Sequence, residues 1–584
     1  MDIKSETSSR YENTERFHKW LVSAWQHEMD WRKNNQTYYE FRDGDHWSDA
    51  ERAVILERQQ QPVTVNMVAP MINMAIAVEV NRRTNLQVVG REEKDQGLAD
   101  ILTRLLKQTL QESDYHYFKT QVYRQGLTGG VGWFEIWPDE DTEDKEPQIR
   151  VSMRRWEDVF SDPFSVRPDR VDARFLIRRI WTDVDWVEEK YDKEKADSIN
   201  AHRDLLHDGY AGQEIDAQMS EDQLYFDVSQ PSARRVAIYQ CWYRDSKNKI
   251  RQVVWSGDTF LEGSEKDEDN KYPYRTANVY PLVPFLCDTD HKNLPLGIVA
   301  QLKSPQETLN KTLNKYLYLI SSKQLLYEEG ALVRPEEIRE EVAKANSIIE
   351  VKAGMMHAVQ IKENLNEPAQ LLAIAQQQIM LMQRISGIND TMQGFASPNE
   401  RTAQQQVNRL AQGSMTQTSY IENEYFTSRQ VARVVLRLIG AFYTKRKVIR
   451  ITENDDIVNT IAINDPELEA DEFGNPVMVR GKPKETGKIL NKIEDILRYD
   501  VIFQEVTPFT SAREQQALIL SELTKSGMFP AEIAADLIVN LMDIGPDKQE
   551  VIRRIQQVFQ QNGGQANPPA PEDAAIGNPL QSVS

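Results

Sequence analysis

The chain has 584 residues, a formal net charge of −20 and 40% hydrophobic residues. It is too long for one compact core, so we expect roughly three or more structural modules, and its acidity argues against tight sequence-specific DNA binding, which needs a basic surface. Its only two cysteines, Cys241 and Cys287, exclude a disulfide framework or a cysteine-rich zinc site and favour a reducing compartment.

The N-terminus and the most apolar stretch show no membrane signal. Residues 1–16 are polar and lack the apolar core of a signal peptide. The stretch 63–80 is interrupted by polar residues and proline, so it falls short of the ~20 apolar residues that a spanning helix needs. We therefore expect no membrane segment and no membrane partner.

Helices and short strands alternate at the start of the chain. Ser48 and Glu51 form a capping-box pattern, which predicts a short helix that Pro62 would stop. The predicted elements in chain order are a helix over 11–41, the short helix after 48, a strand over 63–66, a helix over 67–82, a strand over 86–91, two helices within 96–128 and a strand over 132–137.

The next region is built of short strands. An acidic segment over 139–146 is typical of a solvated loop. Strands then alternate with turns to about residue 280, without the βαβ rhythm of a parallel sheet, which indicates an α+β fold. These strands are predicted over 149–153, 174–180, 236–243 and 252–257.

Two single amphipathic helices follow, over 297–323 and 368–386. Lys311 and Lys315 lie on the face of the first helix opposite its apolar stripe, and Gly387 ends the second helix. The two stripes consist of Leu302, Leu309, Leu313, Leu317 and Ile320, and of Leu371, Ala375, Ile379, Met382 and Ile385.

A small module lies between these helices, and a second helical region follows them. The module, 324–367, contains a predicted helix over 335–345 and strand-like runs over 347–352 and 356–362. The remaining predicted elements are a loop over 389–402, a helix over 402–446 about 65 Å long if straight, strands within 447–510, three helices within 510–561 and a disordered tail over 562–584.

The arrangement of helix, small module and helix carries the main inference. Two isolated helices of this length cannot cover both apolar stripes with each other and stay rigid. If the pair repeats around a ring, each stripe gains a neighbour. The sequence therefore favours a closed cyclic assembly of identical chains.

Seven segments of the chain follow one another in an order that matches a known family. They are YYEFRDGDHW (38–47), QQQPVTVNMVAPMINMAIAVEVNRR (59–83), RRWEDVFSDP (154–163), DARFLIRRIWTDVDWVEEKY (172–191), LPLGIVAQLKSPQETLNKTLNKYLYLISSK (294–323), SGINDTMQGFASPNERTAQQQVNRLAQGS (386–414) and VTPFTSAREQQALILSELTK (506–525). These segments resemble the portal proteins of short-tailed (podovirus-type) bacteriophages, which are head-to-tail connectors. The resemblance spreads over most of 38–530 and is weakest over 192–235 and 455–490.

The resemblance implies a mainly helical α+β portal fold, assembled as a dodecameric ring. Mapped onto this chain, it implies a wing (1–296 and 403–506), stem helices (297–323 and 368–388), a clip (324–367), a tunnel loop (389–402), a crown (507–561) and a disordered tail (562–584).

The same resemblance implies partners and a location. Double-stranded DNA would pass through the channel without sequence-specific contacts. The large terminase subunit would dock on the clip and be replaced by head-completion, adaptor or tail proteins. The major capsid protein, with a scaffolding protein where one is needed, would surround the ring. The chain would reside in the virion at the portal vertex, and in the host cytoplasm during assembly.

Candidate residues follow from this mapping. A channel through an acidic ring would repel DNA, and a few basic rings would modulate its passage. The candidates for contact with the channel are Lys311, Lys315, Lys323, Met392, Phe395, Arg401 and Arg409. The candidates for partner docking on the clip are Arg334, Glu336, Glu337, Arg339, Glu340 and Lys344.

The sequence contains no motif that indicates an enzyme or a cofactor. The segment 474–482 has the wrong spacing for a P-loop, and the glycine run over 126–132 fits a helix-to-strand turn. We therefore expect no catalysis, cofactor or metal, and an ATPase partner that supplies the energy of packaging. Two alternatives remain, a nucleic-acid-processing enzyme with dispersed acidic metal ligands and a helical cytoplasmic scaffold protein.

Overall fold

A computed structural model gives the conformation of most of the chain before residue 504. The described residues are 3–58, 60–81, 86–91, 96–139, 147–205, 235–263, 274, 277–321, 324–334, 349–362, 366–388, 417–443, 447–453, 457–468, 478–479, 482–483, 485–490, 499–503, 520 and 524. The chain divides into two units, and nearly all of these residues belong to the first unit, Met1–Val80, Asn85–Ile451 and Thr460–Gln504.

Most helices of the described part lie where the sequence predicts helices, but two of them, Val184–Lys190 and Lys193–Leu205, lie in the region predicted as strands and turns. The helices are α1 (Ile3–Asp43), α2 (Asp49–Glu57), α3 (Val68–Asn81), α4 (Gln96–Glu112), α5 (Tyr115–Gly129), α6 (Val184–Lys190), α7 (Lys193–Leu205), α8 (Ile298–Ser321), α9 (Asn366–Ser386) and α10 (Thr418–Phe442). Both halves of the predicted capping box of α2 are present, between Ser48 and Glu51.

The strands form small antiparallel sheets, the largest with the order β4-β5-β6-β7-β8. A three-stranded sheet has the order β3-β2-β9, and β1 pairs with β20. The strands are β1 (Leu86–Gly90), β2 (Val131–Asp139), β3 (Gln148–Arg154), β4 (Val159–Ser161), β5 (Phe175–Asp183), β6 (Arg235–Arg244), β7 (Ile250–Ser256), β8 (Thr259–Gly263), β9 (Leu282–Leu286), β10 (Asp288–Thr289), β11 (Pro295–Leu296), β12 (Gln324–Tyr327), β13 (Val359–Lys362), β14 (Lys447–Glu453), β15 (Ile457–Ile463), β16 (Asp465–Leu468), β17 (Met478–Val479), β18 (Lys482–Pro483), β19 (Glu485–Leu490) and β20 (Tyr499–Phe503).

Helices cover both faces of the five-stranded sheet, because side chains alternate between the two faces of each strand. On one face, Cys241 and Trp255 pack with Phe17 of α1, and the ring of Trp20 stacks on Phe175 with 5.0 Å between centroids. On the other face, Ile238 packs with side chains of α6 and α7. This packing explains the aromatic-rich start of the chain.

The largest core joins the three-stranded sheet to α3, α4, α5, α10 and the first half of α8. The glycine run before β2 allows this close packing. Gly130 adopts φ +99°, and a Cβ there would lie 2.4 Å from the backbone nitrogen of Leu296. The interpretation of this run as a helix-to-strand turn is confirmed, since α5 ends at Gly129 and β2 starts at Val131.

Several predicted elements differ from the structure. Residues 63–66 form no strand, because side-chain amides of α8 bind their backbone groups. In the strand-like run predicted over 347–352, the described residues 349–352 form a single bridge, from Val351 to Leu332. In the small module, Met356–Ala358 is a 3₁₀ turn and the strand starts only at Val359. The last long helix ends at Phe442 rather than 446, where Tyr443 leaves helical geometry with ψ 66°. Its predicted first part, 402–416, lies outside the described residues, as does the helix predicted over 335–345. Of the helices predicted after 510, only Leu520 and Thr524 are described, and both are helical.

Candidate assembly surface

Helices α8 and α9 form a hairpin that a β-ribbon closes. Strand β12 follows α8, β13 precedes α9, and the two strands pair antiparallel from Gln324 opposite Lys362 to Tyr327 opposite Val359. The end of α8 therefore lies beside the start of α9, and the two helices run antiparallel. We call these four elements the hairpin.

Two buried side-chain amides attach the first half of α8 to the segment 63–67. Gln306 donates to the carbonyl of Val65 (2.7 Å) and accepts from the backbone N–H of Met67 (3.0 Å). Asn310 accepts from the backbone N–H of Val65 (3.1 Å). These amides satisfy backbone groups that would otherwise need a neighbouring strand, so the prediction of a strand over 63–66 is wrong.

The same amides determine the protonation of His46. Since Oδ1 of Asn310 accepts from Val65, its Nδ2 must be the group that lies 2.7 Å from Nδ1 of His46 and donates to it. Nε2 of His46 lies 2.7 Å from the carbonyl of Phe41 and donates there. The imidazole is therefore neutral, in agreement with a pKa that burial lowers from 6.5.

The basic side chains predicted on α8 differ in their surroundings. Nζ of Lys311 lies 2.9 Å from Oε1 of Glu51, the residue that also closes the capping box of α2. Both side chains are partly exposed, so the pair links α8 to α2 at the surface. Lys315 lies one turn further on, is exposed, and forms no ion pair with a described residue.

The apolar stripe of α8 starts inside the core and continues beyond it. Leu302 and Leu309 are fully buried, whereas Leu317 and Ile320 on the same face are 46% and 55% exposed. About half of the large hydrophobic side chains that are exposed in the described part lie within 317–381. On the hairpin these are Leu317, Tyr318, Ile320, Leu326, Tyr327, Leu372, Ile374, Met380 and Leu381.

The stripe of α9 is better covered than expected. Ala375 and Met382 are buried, and Leu371, Ile379 and Ile385 are partly buried. The expectation that the helices cannot cover each other is therefore wrong for α9, because α8 and the core pack against its stripe. The exposed side chains of α9, such as Ile374 and Leu381, lie outside the predicted stripe. Gly387 ends the helix with φ +71°, as predicted.

The structure places only some of the candidate residues. Arg334 is exposed in the short segment after β12. The other candidates lie outside the described residues and stay predictions: Lys323, Met392, Phe395, Arg401 and Arg409 for the channel, and Glu336, Glu337, Arg339, Glu340 and Lys344 for docking.

Sequence reasoning missed the residues that attach the hairpin. Gln306 and Asn310 are one turn apart and lie beside the apolar stripe, within the buried arc of α8. Polar side chains in a buried arc need hydrogen-bond partners, so their position was a usable signal. Their partner, the backbone of 63–67, is about 240 residues away and could not be identified from spacing.

Within the described residues, no group of three histidine, cysteine or acidic side chains is placed to hold a metal ion. Cys241 and Cys287 are buried free thiols. Among the helices described, none is long and apolar enough to cross a membrane.

Comparison with known proteins identifies the class. Residues 18–582 match the family described as phage P22-like portal proteins, so the chain belongs to this family and is a structural portal protein for DNA packaging. A protein named "Portal protein" from Helicobacter pylori bacteriophage KHP30 is 22% identical over 529 residues, which cover 88% of this chain and 78% of that protein.

Proposed function

We propose that copies of this chain close into a ring, with the hairpins side by side around a channel for double-stranded DNA. The observation that carries this proposal is the exposure of Ile320, Ile374 and Leu381 on the hairpin. Several large apolar side chains exposed on one structural element indicate an interaction surface. Membership of the portal family supports a partner that is another copy of the same chain.

The hairpin geometry suits contacts between different faces of neighbouring copies. The exposed apolar side chains occur on both helices and on β12, so they face more than one direction. A head-to-tail contact between two different faces generates a ring when the rotation closes. A dodecamer of this chain would have a mass of roughly 800 kDa.

In this proposal, α8 and α9 are the stem, and 324–367 is the clip that docks the terminase large subunit and later adaptor or tail proteins. The α+β region forms the wing, and 507–561 forms the crown. The major capsid protein, with a scaffolding protein where one is needed, surrounds the ring. The chain has no catalytic role, and the motor hydrolyses ATP. Its location is the portal vertex of the virion, after assembly in the host cytoplasm.

The acidity of the chain favours a channel that does not bind DNA tightly. A ring of twelve copies would carry a formal charge of roughly −240. Like charges repel, so DNA would slide through such a channel and would contact only a few basic side chains. Lys315 is the described candidate for such contacts, since it is exposed and has no described carboxylate partner.

The double variant Ile320→Ser/Leu381→Ser tests the ring. We expect wild-type protein to form annular particles in electron micrographs and a species near the mass of the dodecamer by light scattering. The variant should shift to monomers or small oligomers. The control Met29→Ser/Tyr117→Ser removes side chains of similar exposure outside the hairpin and should keep the ring. A wild type that stays monomeric at all concentrations, or a hairpin variant that assembles normally, contradicts the proposal.

A further inference from the structure

A cleft of about 330 Å³ on the α+β region is lined by arginines. Its walls are α10, β20, residues 278–283, the end of β6 and the segment 167–171. The charged side chains that line it are Arg167, Asp169, Arg244, Arg433, Arg437 and Asp500. This basic composition is unexpected in a chain with a net charge of −20.

Both carboxylates of the cleft are already paired. Asp169 lies 2.7 Å from Nη2 of Arg167. Asp500 lies 3.1 Å from Nε of Arg91, which is outside the cleft. Arg244, Arg433 and Arg437 have no carboxylate within ion-pair distance among the described residues. Three positive charges therefore face one cleft with no carboxylate in direct contact, although the charge of Asp500, which is paired with Arg91, also acts on Arg433.

The three arginines lie close enough to repel each other. Arg433 and Arg437 are one turn apart on the same face of α10, where like charges destabilise a helix. Burial lowers the pKa of Arg437, and the charges of Arg433 and Arg244 lower it further. An anion bound between them would remove this repulsion.

The cleft is preformed. The guanidinium of Arg244 lies over the ring of the buried Tyr280, 5.2 Å from its centroid, and donates to the carbonyl of Val171 (3.1 Å). In the segment that Arg244 contacts, the carboxylate of Asp172 accepts from Oγ of Ser165 (2.7 Å) and from the backbone N–H of Arg167 (3.2 Å). Little conformational freedom would be lost when a ligand binds.

We propose that this cleft binds a phosphate-class anion through Arg244, Arg433 and Arg437. A guanidinium group offers a planar fork of donors that matches phosphate oxygens. A free phosphate carries up to two negative charges and has enough oxygens for three arginines, and the successive phosphodiesters of a DNA backbone bring several charged groups to one cleft, whereas one carboxylate has a single charge and two oxygens. The anion is a free phosphate group or a phosphate of a DNA backbone, which share this chemistry.

The test uses the full-length protein with inorganic phosphate and, separately, a 30-base-pair DNA duplex. We expect one of these probes to bind. Phosphate binding is measured as a rise in the unfolding temperature of the protein above its value in chloride of equal ionic strength, and duplex binding is measured by fluorescence anisotropy. Binding should weaken at least about tenfold in Arg433→Gln/Arg437→Gln. The control Lys33→Gln/Lys107→Gln removes two exposed positive charges elsewhere and should bind normally.

The pattern of results identifies the source of the anion. Phosphate binding that the double variant loses indicates a free phosphate group, and duplex binding alone indicates the DNA backbone. If the double variant fails to fold, Arg244→Gln replaces it, and Arg437→Lys should bind with intermediate affinity because it keeps the charge without the fork. The proposal is wrong if neither probe binds or if the arginine variants bind normally. It is also wrong if the only effect of Arg433→Gln/Arg437→Gln is to dissociate the oligomer, because the arginines would then bind an acidic segment of a neighbouring copy.

Discussion

At the scale of single residues, three charged side chains are buried together in a cluster between α3, α5 and α10. Nζ of Lys119 lies 3.1 Å from Glu79 and 2.9 Å from Glu424, and all three side chains are at most 5% exposed. Burial raises the pKa of Glu424 above 4.5, and Glu79 adds to the rise, while Lys119 opposes it. Its Oε2 is buried without a hydrogen-bond partner among the described residues.

Replacement of Lys119 by methionine should destabilise the protein strongly. It removes the positive charge that lies beside the two buried carboxylates, and breaking a buried ion pair costs about 3–5 kcal/mol of unfolding free energy. Chemical denaturation of Lys119→Met measures the loss, and Lys107→Met on the exposed side of α4 is the matched control. A loss below about 1 kcal/mol would show that the cluster is not a strong constraint.

The pH dependence of this variant has a defined sign. A carboxyl group whose pKa is raised in the folded state stabilises the fold below its unfolded pKa, 4.5, and this contribution is lost as the pH rises through the folded pKa. Removal of Lys119 raises the pKa of Glu424 further, because the charge of Lys119 lowers it. The variant should therefore be closer to wild type in stability at pH 5 than at pH 8.

His46 gives the opposite pH dependence. Burial lowers its pKa, while the carbonyl of Phe41 and the charges of Asp45 and Glu307 act in the other direction. The unfolded chain binds a proton near pH 6.5 and the folded chain does not. The stability that neutral His46 provides is therefore complete above pH 6.5 and falls below it, by up to about 1.4 kcal/mol per pH unit until the folded pKa is reached.

The variant His46→Gln isolates this effect, because glutamine can donate to Phe41 and accept from Asn310. We expect the unfolding free energy of wild type to fall more between pH 7.5 and 5.5 than that of His46→Gln. Equilibrium denaturation at the two pH values measures the difference. Equal losses in the two proteins would mean that His46 is not the group that titrates.

At the scale of elements, the first half of α8 is held by side chains that act as a strand partner for 63–67. Gln306 contributes two hydrogen bonds to backbone groups there. A buried backbone group that loses its partner costs about 1–3 kcal/mol. The attachment of the hairpin to the core therefore depends on a few amide groups as well as on apolar packing.

The substitution Gln306→Ala should allow the segment 63–67 to separate locally from α8. We expect hydrogen exchange at the amides of Val65 and Met67 to become faster by about one to two orders of magnitude, since about 1–3 kcal/mol of local stability is lost. Gln301→Ala, at an exposed position of the same helix, should leave both amides protected. Unchanged protection in Gln306→Ala would show that the backbone of 63–67 is held by other contacts.

At the scale of the whole molecule, the acidic charge and the exposed hairpin act together in the proposed ring. Repulsion between copies must be overcome by the apolar contacts, so assembly should tighten as salt screens the charge. Lys311 and Lys315 are the described positions where a basic ring around the channel can be tested.

Neutralisation of these two lysines should have different effects. Lys311→Gln removes the ion pair with Glu51, and should lower stability by no more than about 1 kcal/mol, as is usual for exposed pairs. Lys315→Gln should leave stability unchanged but alter the amount of DNA packaged or the rate of its ejection, as measured in virions that carry the variant. If packaging and ejection are unchanged in Lys315→Gln, the role proposed for this lysine is lost.

The sequence by itself determined most of the secondary structure and the class of the protein. The amphipathic period of α8 and α9, the capping box at Ser48 and the glycine run before β2 are local patterns, because they depend on neighbouring residues and on backbone sterics. The order of matching segments pointed to the portal family, which the comparisons confirm.

Only the tertiary structure decided the contacts between residues distant in the chain. The backbone of 63–67 resembles a strand by composition, yet its partners are Gln306 and Asn310. The arginines of the cleft come from segments as far apart as Arg244 and Arg437. A helical stripe shows that a face is apolar but not where the core ends, so the exposure of Ile320 beyond the buried Leu309 depends on how the rest of the chain packs around α8.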